Sequence, residues 1–157
     1  MDKSKAYRDN KNLDYSKFNS KMTEFANDNK IVSKTNYLII TSIKERATYI
    51  YEKNDSLWEM LYKWSSTVGK PATPTITGVF NSGEKYPAII DGTALAKYAT
   101  HITDEYYYHS VIYNPTEDYV TDDRLGEAIS HGCIRLATSN AKWMFENIPT
   151  NTTIVIK

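Results

Sequence analysis

The residues able to do covalent chemistry are concentrated in one heptapeptide, Ser130-His131-Gly132-Cys133-Ile134-Arg135-Leu136. It holds the only cysteine and one of the three histidines of the 157-residue chain. A glycine directly before the thiol permits a tight, positive-φ turn that a Cβ would hinder. Such a turn can aim the amides of Gly132 and Cys133 at one point beside the sulfur, where they would stabilise an oxyanion. A cysteine attacks as its thiolate, so it needs an imidazole or a positive charge close by. His131 is near in sequence, but residues two apart on an extended chain share a face only loosely. His109 is the better base. It lies in Tyr106-Tyr107-Tyr108-His109-Ser110-Val111-Ile112-Tyr113, an aromatic and β-branched run that reads as a buried strand, and a rigid element is what a base needs. Each residue also has a structural reading: the cysteine as a small buried hydrophobe, the histidine as a satisfied core residue. No zinc spacing links His109, His131 and Cys133, and no cofactor is implied.

The heptapeptide resembles the signature of the L,D-transpeptidases, the YkuD-type catalytic domain of bacterial cell-wall enzymes. The resemblance runs from about Thr35 to the C-terminus. A second stretch, Thr73-Pro74-Thr75-Ile76-Thr77-Gly78-Val79-Phe80, is similar to a Thr-Pro-x-Gly segment that precedes the family's catalytic half, and implies a wall of the substrate cleft. The upstream histidine stands further from the motif than is usual in the family. Twenty residues separate His109 from Ser130, and the excess falls in the polar, turn-rich stretch 114–123, where a longer loop need not move the histidine.

The resemblance implies a mechanism. Cys133 would attack the third-residue carbonyl of a peptidoglycan tetrapeptide stem, release D-Ala, and pass the acyl group to a diamino-acid side-chain amine, giving a 3→3 cross-link. His109 would move the protons, and the carbonyl of Ser110 would fix its tautomer. Gly132 and Cys133 would form the oxyanion hole, and Ser130 and His131 would line the substrate site. Arg135 would attract a stem carboxylate or brace the loop. Carbapenem-type β-lactams would be covalent inhibitors, and the site would work outside the cytoplasm, in the wall or at the cell surface. Two other readings stand beside this one. A sortase-like transpeptidase also runs His before Cys, but its arginine lies further downstream and it lacks the Ser-His-Gly lead-in. A wall-binding module with a buried cysteine would do no chemistry. Papain-like and NlpC-like hydrolases place Cys before His, and the Gln-Ala-Cys of caspases is missing.

The rest of the chain has to position these groups. Its length suits one domain with a proper core. Its 19 basic and 19 acidic residues balance, so nothing points to nucleic acid. No apolar run is long enough to span a membrane, and Met1–Lys5 opens no apolar signal segment. Thirteen tyrosines with many Thr and Asn favour strands and turns. Residues 1–34 form a polar lead-in in which Phe18, Met22, Phe25 and Ala26 recur at helical spacing, predicting a short helix over roughly 16–28 that packs on the domain 35–157. Strands are expected at Tyr37–Thr41, Ala47–Tyr51 and Trp58–Trp64, joined as a meander. A Pro-rich loop with a strand at Ile76–Phe80 follows, then a short strand at Ala88–Ile90 and a helical turn at Thr93–Tyr98. His101 reads as surface or structural. Beyond the motif, Thr138 or Ser139 should cap a helix over 140–147, and Thr153–Ile156 should close the sheet. The expected architecture is mostly β, a curved mixed sheet or sandwich with a few short helices.

Overall fold

The computed structural model describes residues 10–116 and 118–157. Two mixed sheets face each other. The first is ordered β3-β2-β1-β13-β5, with β1 at Tyr37–Ser42, β2 at Ala47–Asn54, β3 at Leu57–Ser65, β5 at Gly78–Asn81 and β13 at Thr153–Ile156. The three N-terminal strands form the expected antiparallel meander, and β13 joins parallel to β1. The second sheet is ordered β10-β9-β7-β8-β12, with β6 also on β7. Its strands are β6 (Lys85–Asp91), β7 (Ala94–Thr103), β8 (Tyr106–Ser110), β9 (Ile112–Tyr113), β10 (Val120–Asp122) and β12 (Ile134–Leu136). A small parallel pair joins β4 (Val68–Gly69) to β11 (Ala128–Ser130).

Burial on both faces explains why β1 reads as a continuous apolar run. Its Ile39 enters the inter-sheet core with Ile50, Trp64, Tyr108, Ile134, Leu136 and Ile154. Its Leu38 and Ile40 face the other way, against Phe18, Met22, Phe25 and Ala26 of the N-terminal segment. The helix there, α1, spans Met22–Asp28, shorter than predicted because residues 16–20 form turns. Its apolar stripe packs on the outer face of the first sheet with Tyr49, Tyr51 and Trp58. The second helix, α2, spans Thr138–Asn147, buries Ala141 and Met144, and has Ala137 at its N-cap position with no side-chain cap bond. The predicted Thr138 or Ser139 cap therefore lies inside the helix.

Two expectations need correction. Thr93–Tyr98 is no helical turn; Ala94–Tyr98 begins β7, which pairs with β6 on one side and with β9 and β8 on the other. Alanine is the strongest helix former, but helix propensity is a weak determinant and pairing with the flanking strands overrides it. The strand expected over 106–113 is in fact two, broken at Val111. There β7 leaves β9 for β8, Tyr98 takes a φ of 54°, and the Lys97 amide donates to Ser110 Oγ at 2.8 Å. The extra residues between His109 and the motif include the short β9–β10 pairing, which extends the edge of the sheet and leaves His109 on β8.

Candidate active site

Strands β8 and β12 lie parallel and adjacent, with Ile134 level with Tyr108 and Arg135 with His109. Side chains alternate across a strand. Tyr108, Ile134 and Leu136 enter the inter-sheet core, so His109, Arg135 and, one residue before the strand, Cys133 belong to the opposite face. That face opens onto a cleft of about 720 Å³ whose lining includes Cys133, His109, Ser130, His131 and Arg135. Ile89, Ile90 and Ala94, around the β6–β7 turn, form part of an apolar wall. Local folding makes the pairing possible: β11 ends at Ser130, the chain turns through His131 and Gly132, and β12 begins at Ile134.

Gly132 carries the turn. Its φ is 127°, and a Cβ there would stand 2.8 Å from Cε1 of Tyr106. The loop is held from inside by Ser130, whose hydroxyl accepts from the Gly132 amide at 3.1 Å and donates to the Cys133 carbonyl at 2.6 Å. This changes one sequence expectation: the Gly132 amide is bonded within the loop rather than aimed beside the sulfur. Ser130, 2% exposed, is part of the cleft lining and also braces the turn.

From behind, Thr73 Oγ1 donates to the Ser130 carbonyl at 2.9 Å and Thr75 Oγ1 to the Gly132 carbonyl at 2.8 Å. Thr75 Oγ1 also accepts from the Gly69 amide at 2.9 Å. The Thr-Pro-Thr stretch, expected as a cleft wall, thus backs the cysteine loop and is absent from the cleft lining. A polar stretch next to prolines carries no sign of which loop it will support, so sequence reasoning missed this role.

His109 is 6% exposed, and its Nδ1 lies 2.7 Å from the Ser110 carbonyl. A carbonyl only accepts, so Nδ1 carries the proton and Nε2 of the neutral ring is the basic nitrogen. Burial pushes the imidazole down to about 4; the Ser110 bond works against this and the Arg135 charge reinforces it. At neutral pH the ring is uncharged. Cys133 is half-buried, with Sγ 3.4 Å from the carbonyl oxygen of Glu105. His131 is exposed at the cleft.

Arg135 Nη1 donates to Asp122 Oδ2 at 3.0 Å, and Arg124 grips the same carboxylate through Nε and Nη2, both at 2.9 Å. Arg124 first, then Arg135, holds Asp122 well below the usual carboxylate range against the opposing effect of burial. Of the two sequence readings of Arg135, bracing is the one with a partner on β10. His101 lies outside the cleft lining, bonded to the Asp104 carbonyl and tilted against Tyr107.

The model of the L,D-transpeptidase catalytic domain (YkuD) matches residues 36–156. The chain belongs to that family. YciB of Bacillus subtilis (strain 168), itself named only provisionally as an L,D-transpeptidase, is 31% identical over 129 residues, covering 75% of this chain and 64% of that protein. A fused Zn-dependent amidase/peptidase/peptidoglycan-binding domain-containing protein from Clostridium acetobutylicum ATCC 824 is 37% identical with a TM-score of 0.74, covering 87% of this chain and 58% of its own. An L,D-transpeptidase from Mycobacterium smegmatis shares the fold at 22% identity and a TM-score of 0.63, covering 78% and 58% of the two chains. The L,D-transpeptidase LdtMt1, solved in complex with imipenem, does so at 22% and 0.64, covering 78% and 59%. This L,D-transpeptidase domain therefore spans about three fifths of the length of these relatives.

Proposed function

We propose that the chain is a peptidoglycan L,D-transpeptidase that works outside the cytoplasm, with Cys133 as nucleophile and His109 as proton carrier. The observation carrying this reading is the shared cleft face of two adjacent parallel strands, with the His109 tautomer fixed by the Ser110 carbonyl. Sγ attacks the third-residue carbonyl of a tetrapeptide stem as the thiol proton passes to Nε2 of His109. The oxyanion that forms is met by the Cys133 amide; Gly132 adds a second donor only by leaving Ser130. Collapse breaks the C–N bond to D-Ala, and the imidazolium returns its proton to the leaving amine. A diamino-acid side-chain amine then attacks the thioester, gives a proton to His109, and the thiol is restored as the 3→3 cross-link forms.

The neutral resting state of His109 suits this cycle, because an imidazole already protonated at neutral pH would not accept the thiol proton. The test is product mass analysis with a purified tetrapeptide-stem muropeptide. Loss of one D-Ala with formation of a cross-linked dimer supports the reading. Unchanged substrate with active-site thiol intact would leave the wall-binding module.

A further inference from the structure

The cleft has a charge asymmetry along the strand direction. The register of β8 and β12 pairs Ile134 with Tyr108 and Arg135 with His109, so one residue back Cys133 stands level with Tyr107. Arg135 lies two residues beyond the thiol, and Glu105, in the β7–β8 turn, two residues before it. Arg135, level with His109, and Glu105, just before β8 begins, thus lie to opposite sides of the thiol along the strand direction. Glu105 is exposed, and its own carbonyl oxygen is 3.4 Å from Sγ. Among the described residues it is the one acidic residue in the cleft lining. Arg135 is tied to Asp122, whereas the Glu105 carboxylate has no ion-pair partner among the described residues. The turn that carries it is fixed: Nε2 of His101 donates to the Asp104 carbonyl at 2.7 Å.

We infer that Glu105 is the acceptor-recognition residue, its carboxylate receiving the primary ammonium of the incoming peptide side chain at the cleft end before the thiol. The inference rests on the acyl-transfer reading above. Once D-Ala has left, water and amine compete for the thioester. An amine approaching at neutral pH is a cation, and a carboxylate beside the thioester raises its local concentration and sets its direction. The ammonium gives up one proton to solvent; the amine nitrogen then bonds the acyl carbon as its second proton passes to the neutral Nε2 of His109, the C–S bond breaks, and His109 returns that proton to the sulfur. The apolar wall and the Arg135 end offer a cation no such partner.

The test uses a tetrapeptide-stem donor whose side-chain amine is acetylated, with lysine amide as a separate acceptor, and reads transfer against hydrolysis by mass. Glu105→Gln should raise the acceptor KM about five- to tenfold and lower the transfer-to-hydrolysis ratio to match. Glu105→Lys should lower it further, and Glu105→Asp should restore much of it. Added salt should depress the wild-type ratio and leave that of Glu105→Gln nearly flat. Acyl-enzyme that forms and partitions alike in wild type, Glu105→Gln and Glu105→Lys would overturn the inference while leaving acyl transfer intact. Absence of any acyl-enzyme in the wild type would remove the reading on which it rests, and the inference with it.

Discussion

The burial of His109 makes pH the sharpest probe at the scale of single residues. Its folded value is pushed down to about 4 from an ordinary 6.5, so between those limits the unfolded chain binds the extra proton. The stability contribution of this residue is therefore complete above about pH 6.5 and is lost as pH falls toward 4. Chemical denaturation from pH 7 to 4 should show this decline in the wild type and a shallower one in His109→Gln. With His109 as the proposed base, the acid limb of acylation should likewise lie well below 6.5, because that ring stays neutral; a limb at 6.5 would contradict the burial argument. Gly132 gives a second prediction. A Cβ at φ 127°, 2.8 Å from the Tyr106 ring, makes Gly132→Ala strained by about 1–3 kcal/mol. Loss of acylation at a folding temperature still above the assay temperature would place that strain in the cysteine loop.

Among the elements, the β9–β10 extension is what ties Arg135 into the cleft. Asp122 is about a quarter exposed and Arg135 less so, so Asp122→Asn should cost about 1–2 kcal/mol by thermal denaturation. An unchanged melting temperature would mean that the pair is solvent-screened. The strands that alternate or run apolar, β1, β2 and β13, were legible in sequence, as was the Cys133 motif, because local pattern and tertiary role agree there. The β7 strand was hidden: Ala94-Leu95-Ala96 has no strand preference of its own and is extended because β6 and β9 hold it. The bonds from Thr73 and Thr75 to the cysteine loop, and from Asp122 to Arg135, join residues distant in sequence through single polar atoms. Such contacts leave no periodic trace, which is why the Thr-Pro-Thr stretch read as a cleft wall and Asp122 as loop.

For the whole molecule, the N-terminal segment is part of the fold. Phe25 is fully buried between α1 and the outer face of the first sheet, so Phe25→Ala should cost about 3–5 kcal/mol. A change below 1 kcal/mol in denaturant titration would reduce that segment to a loose cover. Tyr108 on β8 bonds Thr41 on β1 through its hydroxyl at 2.7 Å, so the strand bearing His109 is pinned across the core. The claim at the centre is that this frame presents Cys133 as an acyl-accepting nucleophile to a peptide-like carbonyl. A carbapenem offers such a carbonyl in a strained ring, and the intact protein can be weighed after incubation with it. The mass should rise by one carbapenem in the wild type, more slowly in His109→Ala, and not at all in Cys133→Ala; an unmodified wild-type mass after long incubation would contradict the account.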